Sequence, residues 1–419
     1  MTTHGMLRTF QRHATSASAH GRTHARRCAT DRPVPPVRNL WSSQAALNKG
    51  HLNESNKALP LPPRTAALPH ALDDLLDERE RKSRPLPKAA AIAAAVREAD
   101  EQALAQDTKL AVLGVPMSCG QPLKGTEDGA RIARERGLLD MIGELGYETS
   151  DAGDIEVTGT RDDDPISYSS CGRVIKNAYS VGQTARQLFE ASATLRAMGQ
   201  LPIVVGGDHS IAGGSVAAAL HADPEVGVLW VDAHADLHTP ESSPSMNMHG
   251  MPLSFLMGLA DPENITGFEW MSKYEIPILR PSKLVYVGLR DIDRGERVML
   301  KQLGITAFTM REIDRFGIAK VMDLAMAQLV NSSDSSLHVS FDIDSLCPTW
   351  APSTGTKVFG GLTMREANYI TETIAESGAL KSLDMVEVNP MLGSNEEDVH
   401  RTADMGNQLI TSMLGQRLL

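Results

Sequence analysis

The chain has 419 residues, 42% of them hydrophobic, and a formal net charge of −11. That length accommodates one large α/β domain or two smaller ones, and the acidic balance supplies no basic footprint for nucleic acid. No apolar stretch approaches the ~20 residues a membrane-spanning helix needs. Four scattered cysteines (Cys28, Cys119, Cys171, Cys347) have neither the spacing of a zinc ribbon nor that of a disulfide framework, and suit a reducing compartment.

Charge is unevenly spread. Residues 1–40 carry seven arginines (Arg8, Arg12, Arg22, Arg26, Arg27, Arg32, Arg38) against one acid, Asp31, which leaves −17 for the remainder. An arginine-rich, acid-poor start with several Ser and Thr predicts an organelle transit peptide of mitochondrial type, with an uncleaved tail on a cytoplasmic protein as the alternative. Residues 41–108 read as a largely irregular leader, within a proline-rich stretch from about residue 33 to 88 that holds Pro33-Val34-Pro35-Pro36 and Pro60-Leu61-Pro62-Pro63. One short helix is expected near Ala71–Arg81 and an alanine-rich one over Ala89–Gln106.

The compact domain is expected over residues 109–419, beginning with the apolar strand Leu110–Val115. Periodicity then predicts helices over Arg131–Leu145 and Val174–Met198, a strand over Leu201–Val205, a helix over Ile211–His221, and a strand over Val226–Val231. A helix starts within Leu253–Leu259, followed by a strand Leu284–Leu289, a helix Val298–Leu303, a short strand Ile305–Thr309 and a helix Ile318–Val330. The strand Leu337–Phe341, a helix Thr363–Ser377 opened by the capping pair Thr363 and Glu366, a strand Leu383–Val388 and a helix Val399–Leu414 close the chain. Alternation of this kind specifies an α/β fold, a three-layer α/β/α sandwich on a mainly parallel central sheet.

Three of the apolar runs stop at acidic and histidine residues. Leu201–Val205 leads into Gly206-Gly207-Asp208-His209-Ser210, Val226–Val231 into Asp232-Ala233-His234-Ala235-Asp236, and Leu337–Phe341 into Asp342-Ile343-Asp344. Ligands of open parallel sheets bind beyond the carboxyl ends of the strands, so all three clusters fall where chemistry is expected. Residues spaced by two share one face of an extended segment, which aligns Asp232, His234 and Asp236, and likewise Asp342 and Asp344. Several Asp with two His and no Cys point to Mn2+ ahead of Zn2+, with Fe2+ or Co2+ as substitutes. Two ions ~3.5–4 Å apart need bridging carboxylates, and at least four Asp are available. Each cluster alone has an ordinary reading, since Asp208 or Ser210 can cap the following helix and Asp-X-Asp is a common turn.

In their order and spacing these motifs resemble those of the ureohydrolases, and among them the arginases. The resemblance runs from about Lys109 to Leu414 and includes Ser340-Phe341-Asp342-Ile343-Asp344 followed by Pro348, Pro352 and Gly355. It implies a hydrolase with two Mn2+ per subunit that converts L-arginine and water to L-ornithine and urea, through attack of a metal-bridging hydroxide on the guanidinium carbon. It also implies that His209, Asp232, Asp236 and Asp342 bind one ion and His234, Asp232, Asp342 and Asp344 the other, with Asp232 and Asp342 bridging. A metal lowers the pKa of bound water to ~7 in favourable cases, and a histidine near the cleft can pass a proton to the departing amine. His249, in Asn247-Met248-His249-Gly250, matches that position; Asp236 and Glu387 complete the implied catalytic set, Glu387 pairing with the guanidinium.

By the same resemblance, Ser245 and Asn247 grip the α-carboxylate, Asp293 faces the α-ammonium with Glu296 assisting, and Thr356 lines the pocket near the metals. The plain alternative for Arg290-Asp291-Ile292-Asp293-Arg294-Gly295-Glu296 is a solvated charged turn after Leu284–Leu289. Three positions depart from the family's pattern. His238 stands where arginases usually carry Asn beside the α-carboxylate, Cys347 replaces the Asp before Pro348, and Lys357 replaces a proline. His238 remains a substrate-contact candidate because imidazole can donate a hydrogen bond. A homotrimer or homohexamer is implied. Competing readings are an agmatinase or other guanidino hydrolase, a catalytically silent regulatory subunit with the same fold, and a metal-dependent deacylase on a related scaffold.

Overall fold

Parallel strands must be reconnected by crossovers, so helices cover both faces of the sheet and the strands read as continuous apolar runs. The computed structural model describes residues 108–157 and 164–417. The expected transit peptide, the leader up to residue 107 and its two helices lie outside the described residues.

The strands are β1 (Lys109–Val115), β2 (Glu148–Asp154), β3 (Ser167–Tyr168), β4 (Val174–Ile175), β5 (Gln200–Gly206), β6 (Gly227–Val231), β7 (Leu284–Leu289), β8 (Thr306–Thr309), β9 (Leu337–Asp342) and β10 (Leu380–Val386). Eight form one sheet in the order β2-β1-β5-β10-β9-β6-β7-β8 with every pairing parallel, while β3 and β4 make a small antiparallel ribbon. The helices are α1 (Gly129–Glu135), α2 (Leu138–Gly143), α3 (Ala178–Ala197), α4 (Ala212–Ala222), α5 (Pro252–Leu256), α6 (Trp270–Lys273), α7 (Arg294–Leu303), α8 (Met310–Phe316), α9 (Ile318–Leu329), α10 (Met364–Ser377) and α11 (Glu396–Met413).

β6, β7 and β9 are buried at every residue. Alternate side chains serve opposite layers: Val228 and Trp230 share a core with α3 and α4, whereas Leu229 and Val231 share one with α9, α10 and α11. Each fully buried Val or Leu contributes ~1.5–3 kcal/mol, so the apolar runs hold the central strands, and their ends, in fixed positions. This is the expected three-layer sandwich. No helix among the described residues is long and apolar enough to cross a membrane.

Several boundaries differ from expectation. The helix expected over Arg131–Leu145 is two, α1 and α2, because Gly137 takes φ 84 between them, a conformation that glycine adopts without steric cost. The helix expected from Val174 starts at Ala178, because Val174–Ile175 pairs with Ser167–Tyr168 and Asn177 turns the chain at φ 53. α7 starts at Arg294 rather than Val298, since Asp293 and Glu296 form a capping box. Five elements, β2, β3, β4, α6 and α8, are additional to the expected set. β2 is a mostly exposed edge strand without an apolar run, and α8 is a short helix opened by the Thr309/Glu312 capping box.

At the end of β5 the chain passes very close to the residues following β1. Gly207 N donates to Val115 O at 3.0 Å, and a Cβ at Gly207 would lie 2.1 Å from Met117 O. Gly207→Ala is therefore expected to destabilise the domain by about 1–3 kcal/mol through overpacking, a loss visible in thermal unfolding. An unchanged Tm contradicts this account of the turn.

Candidate metal centre and active site

The carboxyl ends of β5, β9 and β6 bring the three acidic clusters together. After β5, Asp208 caps a 3-10 turn over His209–Ile211: it accepts from Ser210 N at 3.1 Å and from Gly120 N at 2.8 Å. Its carboxylate is thus engaged with backbone, as the capping reading of that motif anticipated. The His209 ring stacks on Trp230, with centroids 4.1 Å apart, and its Nε2 lies 2.9 Å from Ser340 Oγ. These contacts aim Nδ1 at Asp232 Oδ2 (3.0 Å), Asp236 Oδ2 (3.1 Å) and Asp342 Oδ2 (3.2 Å). His234 Nδ1 lies 3.4 Å from Asp232 Oδ1 and 3.1 Å from Asp344 Oδ2. One oxygen of Asp232 therefore faces each histidine.

The donor set fits divalent metal. His209 Nδ1 is buried with no hydrogen-bond partner, although carboxylates surround it. Imidazole and carboxylate donors bound at ~2.0–2.2 Å, at right angles to one another, lie roughly 3 Å apart, the spacing observed around His209. Two groups, His209–Asp232–Asp342 and Asp232–His234–Asp344, each keep their donor atoms within 4.8 Å. Oxygen and imidazole donors without thiolate match Mn2+, Fe2+, Co2+ or Zn2+.

Electrostatics point the same way. Burial, reinforced by the charges of Asp344 and Asp232, pushes the Asp342 pKa well above the carboxylate range, and burial with Asp232 also raises Asp236. Burial disfavours charge on His209 and His234, yet the surrounding carboxylates hold both far above the ordinary imidazole value. Burial opposes ionisation of Asp232 too, but the two histidines bring its pKa down. The carboxylates thus favour a proton on each imidazole, and an incoming cation must compete with it. Metal affinity should consequently rise with pH, and calorimetry near pH 7 in buffers of different ionisation enthalpy should register proton release. Binding without proton release contradicts this picture.

Beside the clusters, His249 Nδ1 lies 3.6 Å from Glu387 Oε1, which also accepts from His209 N at 2.9 Å. Burial works against a charged His249, but Glu387, Asp236 and Asp208 raise its pKa above the ordinary value. Thr356 Oγ1 donates to Asp344 Oδ2 at 2.7 Å. Five non-glycine residues among those described have positive φ, and three of them are Asp236 (φ 48), Met246 (φ 60) and Glu387 (φ 63). Such conformations cost on the order of 1–3 kcal/mol and collect at functional sites.

The expected substrate contacts lie in two further segments. Ser245 Oγ accepts from Asn247 N at 3.2 Å. His238 is buried, with Nδ1 3.1 Å from Ser242 Oγ and Nε2 3.2 Å from Asp293 Oδ2 and 3.8 Å from Glu296 Oε2. Burial lowers the His238 pKa despite Asp293. Asp293 Oδ1 accepts from Glu296 N at 2.8 Å, so Asp293 caps α7 with one oxygen and meets His238 with the other. Burial and the charge of Asp236 push the Glu296 pKa up to about 7. Cys347 belongs to neither cluster around Asp232; its N–H donates to Leu362 O at 3.0 Å. Lys357 Nζ donates to Leu392 O at 3.2 Å.

Arg290 was not singled out from the sequence. Its guanidinium donates to Asp344 O (2.5 Å), Leu346 O (3.2 Å) and Val358 O (2.8 Å), tying down the loop that carries Asp344. Carbonyl acceptors belong to any residue, so no side-chain pattern announces this clamp. Trp230 and Ser340 were likewise hidden inside apolar strands.

A model of the arginase family matches residues 108–415. The chain belongs to the arginase family. It is 40% identical to human Arginase-1 over 313 residues, covering 74% of this chain and 94% of that protein. It is 42% identical to rat "Arginase-2, mitochondrial" over 309 residues, covering 73% and 85% respectively. The solved arginase of Bacillus caldovelox matches with a TM-score of 0.68 at 35% identity, over 74% of this chain and 100% of that one. The protein is therefore an arginase-family hydrolase, from a metal-dependent family, and its parallel sheet and flanking helices are that family's fold.

Proposed function

We propose that this hydrolase is an arginase that converts L-arginine and water to L-ornithine and urea using two Mn2+ per subunit. The observation that carries the proposal is the pair of His/Asp groups sharing Asp232, set beside His249 and Glu387, in an arginase-family chain. His209, Asp232, Asp236 and Asp342 would hold one ion; His234, Asp232, Asp342 and Asp344 would hold the other. When bound, such ions supply Lewis acidity and a water of lowered pKa.

The remaining roles fall to this chain's own side chains. Glu387 offers a carboxylate to the planar guanidinium, a charge-assisted pairing that fixes its orientation. His249 holds a proton on its imidazole and can deliver it to the departing amine. Ser245, Asn247 and His238 receive the α-carboxylate, Asp293 with Glu296 receives the α-ammonium, and Thr356 steadies Asp344. Urea release from L-arginine by the Mn2+-loaded protein, measured beside agmatine, tests the reading. Preference for agmatine replaces it with an agmatinase, and retained Mn2+ without urea from either compound replaces it with a silent subunit.

We further propose that residues 1–40 are a mitochondrial transit peptide, 41–108 a leader dispensable for catalysis, and 109–419 the catalytic domain of a homotrimer or homohexamer. The arginine pattern supports the first part, as does a relative that is itself named mitochondrial. A reporter carrying residues 1–40 should enter mitochondria, and a chain starting near Ala103 should retain full activity. Cytosolic retention, a folded but inactive truncation, or a monomer by light scattering each removes the corresponding part.

A further inference from the structure

The loop that carries Ser245 and Asn247 is held by a segment well removed in sequence. Ser170 Oγ donates to Glu241 Oε1 at 2.6 Å, and Arg173 donates to Ser243 O at 2.6 Å and to Pro244 O at 2.9 Å. Lys176 N donates to Met246 O at 3.1 Å. Met246, between Ser245 and Asn247, sits at φ 60, where a residue with a side chain is strained, so the loop depends on these outside contacts for its shape.

Lys176 does more than hold the backbone. Its Nζ lies 3.1 Å from Asn247 Oδ1. An ammonium can only donate, so this contact fixes which way the amide is turned: Oδ1 toward Lys176 and the two Nδ2 hydrogens away from it. Among the described residues, Asn247 Nδ2 has no protein acceptor. The loop therefore presents an oriented pair of N–H donors with a fixed positive charge behind it, a combination suited to an anionic group.

We propose that Lys176 is a specificity-determining positioning residue, which orients the Asn247 amide and adds positive charge so that the site selects substrates carrying an α-carboxylate. Arg173 supports it by holding the loop backbone. The assignment rests on the arginase reading, which supplies the carboxylate.

The experiment compares L-arginine with L-argininamide, which keeps the guanidinium and α-ammonium but replaces the carboxylate by a neutral amide. In the Mn2+-loaded full chain, Lys176→Met should raise KM for L-arginine about 10- to 100-fold, the usual cost of a lost hydrogen bond to a charged group. Its kcat should stay within about twofold, and kcat/KM for L-argininamide should be unchanged, because positioning of this kind acts on carboxylate binding. Lys176→Arg should recover most of the loss, and Lys176→Gln, a donor without charge, should fall between the two. An unchanged preference for L-arginine over L-argininamide in Lys176→Met overturns the proposal. Equal losses on both substrates, or lost metal, also overturn it by making Lys176 a general support of the loop. Calorimetric binding of L-ornithine against 1,4-diaminobutane applies the same comparison without turnover, and only L-ornithine should weaken. If the unaltered protein releases no urea from L-arginine, the arginase reading fails, and the calorimetric pair still decides the role of Lys176.

Discussion

Asp232→Ala is expected to abolish binding of both metal ions, whereas His209→Ala should lose mainly one. Asp232 is fully buried, its Oδ2 facing His209 and its Oδ1 facing His234. Backbone and indole donors lock it there: Oδ2 accepts from Trp230 Nε1 at 2.9 Å and Oδ1 from His234 N at 2.7 Å. Removing this one carboxylate takes a donor from each proposed ion and deprives both imidazoles of the carboxylate they share. His209 lies with only one of the two groups. Changes in residues that merely orient a ligand already cost ~10–100-fold in affinity or activity, so loss of a shared ligand should exceed that. Metal analysis after gel filtration should give close to no ion per subunit for Asp232→Ala and about one for His209→Ala. Two ions retained in Asp232→Ala excludes a bridging role. Asp232→Asn, which keeps the shape and one oxygen, separates lost ligation from lost folding through its Tm.

Much of this site was legible because a parallel sheet imposes it. The runs before Asp208, Asp232 and Asp342 read as buried strands from their length and Val/Leu/Ile content, and in such a sheet their carboxyl ends share one edge. The extended face expected for the residues that follow is replaced by turns: Asp344 lies in a 3-10 turn capped by Asp342, and Asp236 takes φ 48, so the turns beyond the strands align the donors. What stayed illegible depends on contacts distant in sequence or on backbone. β2 carries Glu148-Thr149-Ser150-Asp151-Ala152-Gly153-Asp154, and as a largely exposed edge strand it needs no apolar run to pair with β1. Arg290 acts on carbonyls, and Lys176 meets a loop some 71 positions away. The start of α7 was readable: Asp293 and Glu296 stand three apart, the spacing of a capping box. Assigning both to substrate recognition obscured their part in beginning a helix.

That double duty shapes the test of substrate choice. Asp293 Oδ1 caps α7, while Oδ2 lies 3.2 Å from His238 Nε2, so alanine at this position removes a cap and a charge together. Asparagine is as good a cap as aspartate but carries no charge, and Asp293→Asn therefore isolates recognition of the α-ammonium. It should lower kcat/KM for L-arginine by ~1.5–3 kcal/mol, roughly 10- to 150-fold, the cost of losing a hydrogen bond to a charged group. Its Tm should stay near that of the unaltered protein. Asp293→Ala should show the same kinetic loss and a further loss of stability of about 0.5–2 kcal/mol from the missing cap. Agmatine keeps the guanidinium without arginine's α-groups, so its turnover should hardly respond to either change. Glu387→Ala should damage both substrates, since both present the guanidinium. His238→Asn should be mild and should improve carboxylate binding, because an amide replaces an imidazole that the structure engages with Ser242 and Asp293. The ratio of arginine to agmatine turnover decides among these outcomes. If Asp293→Asn leaves that ratio unchanged, the carboxylate of Asp293 serves the helix alone, and the α-ammonium is read elsewhere.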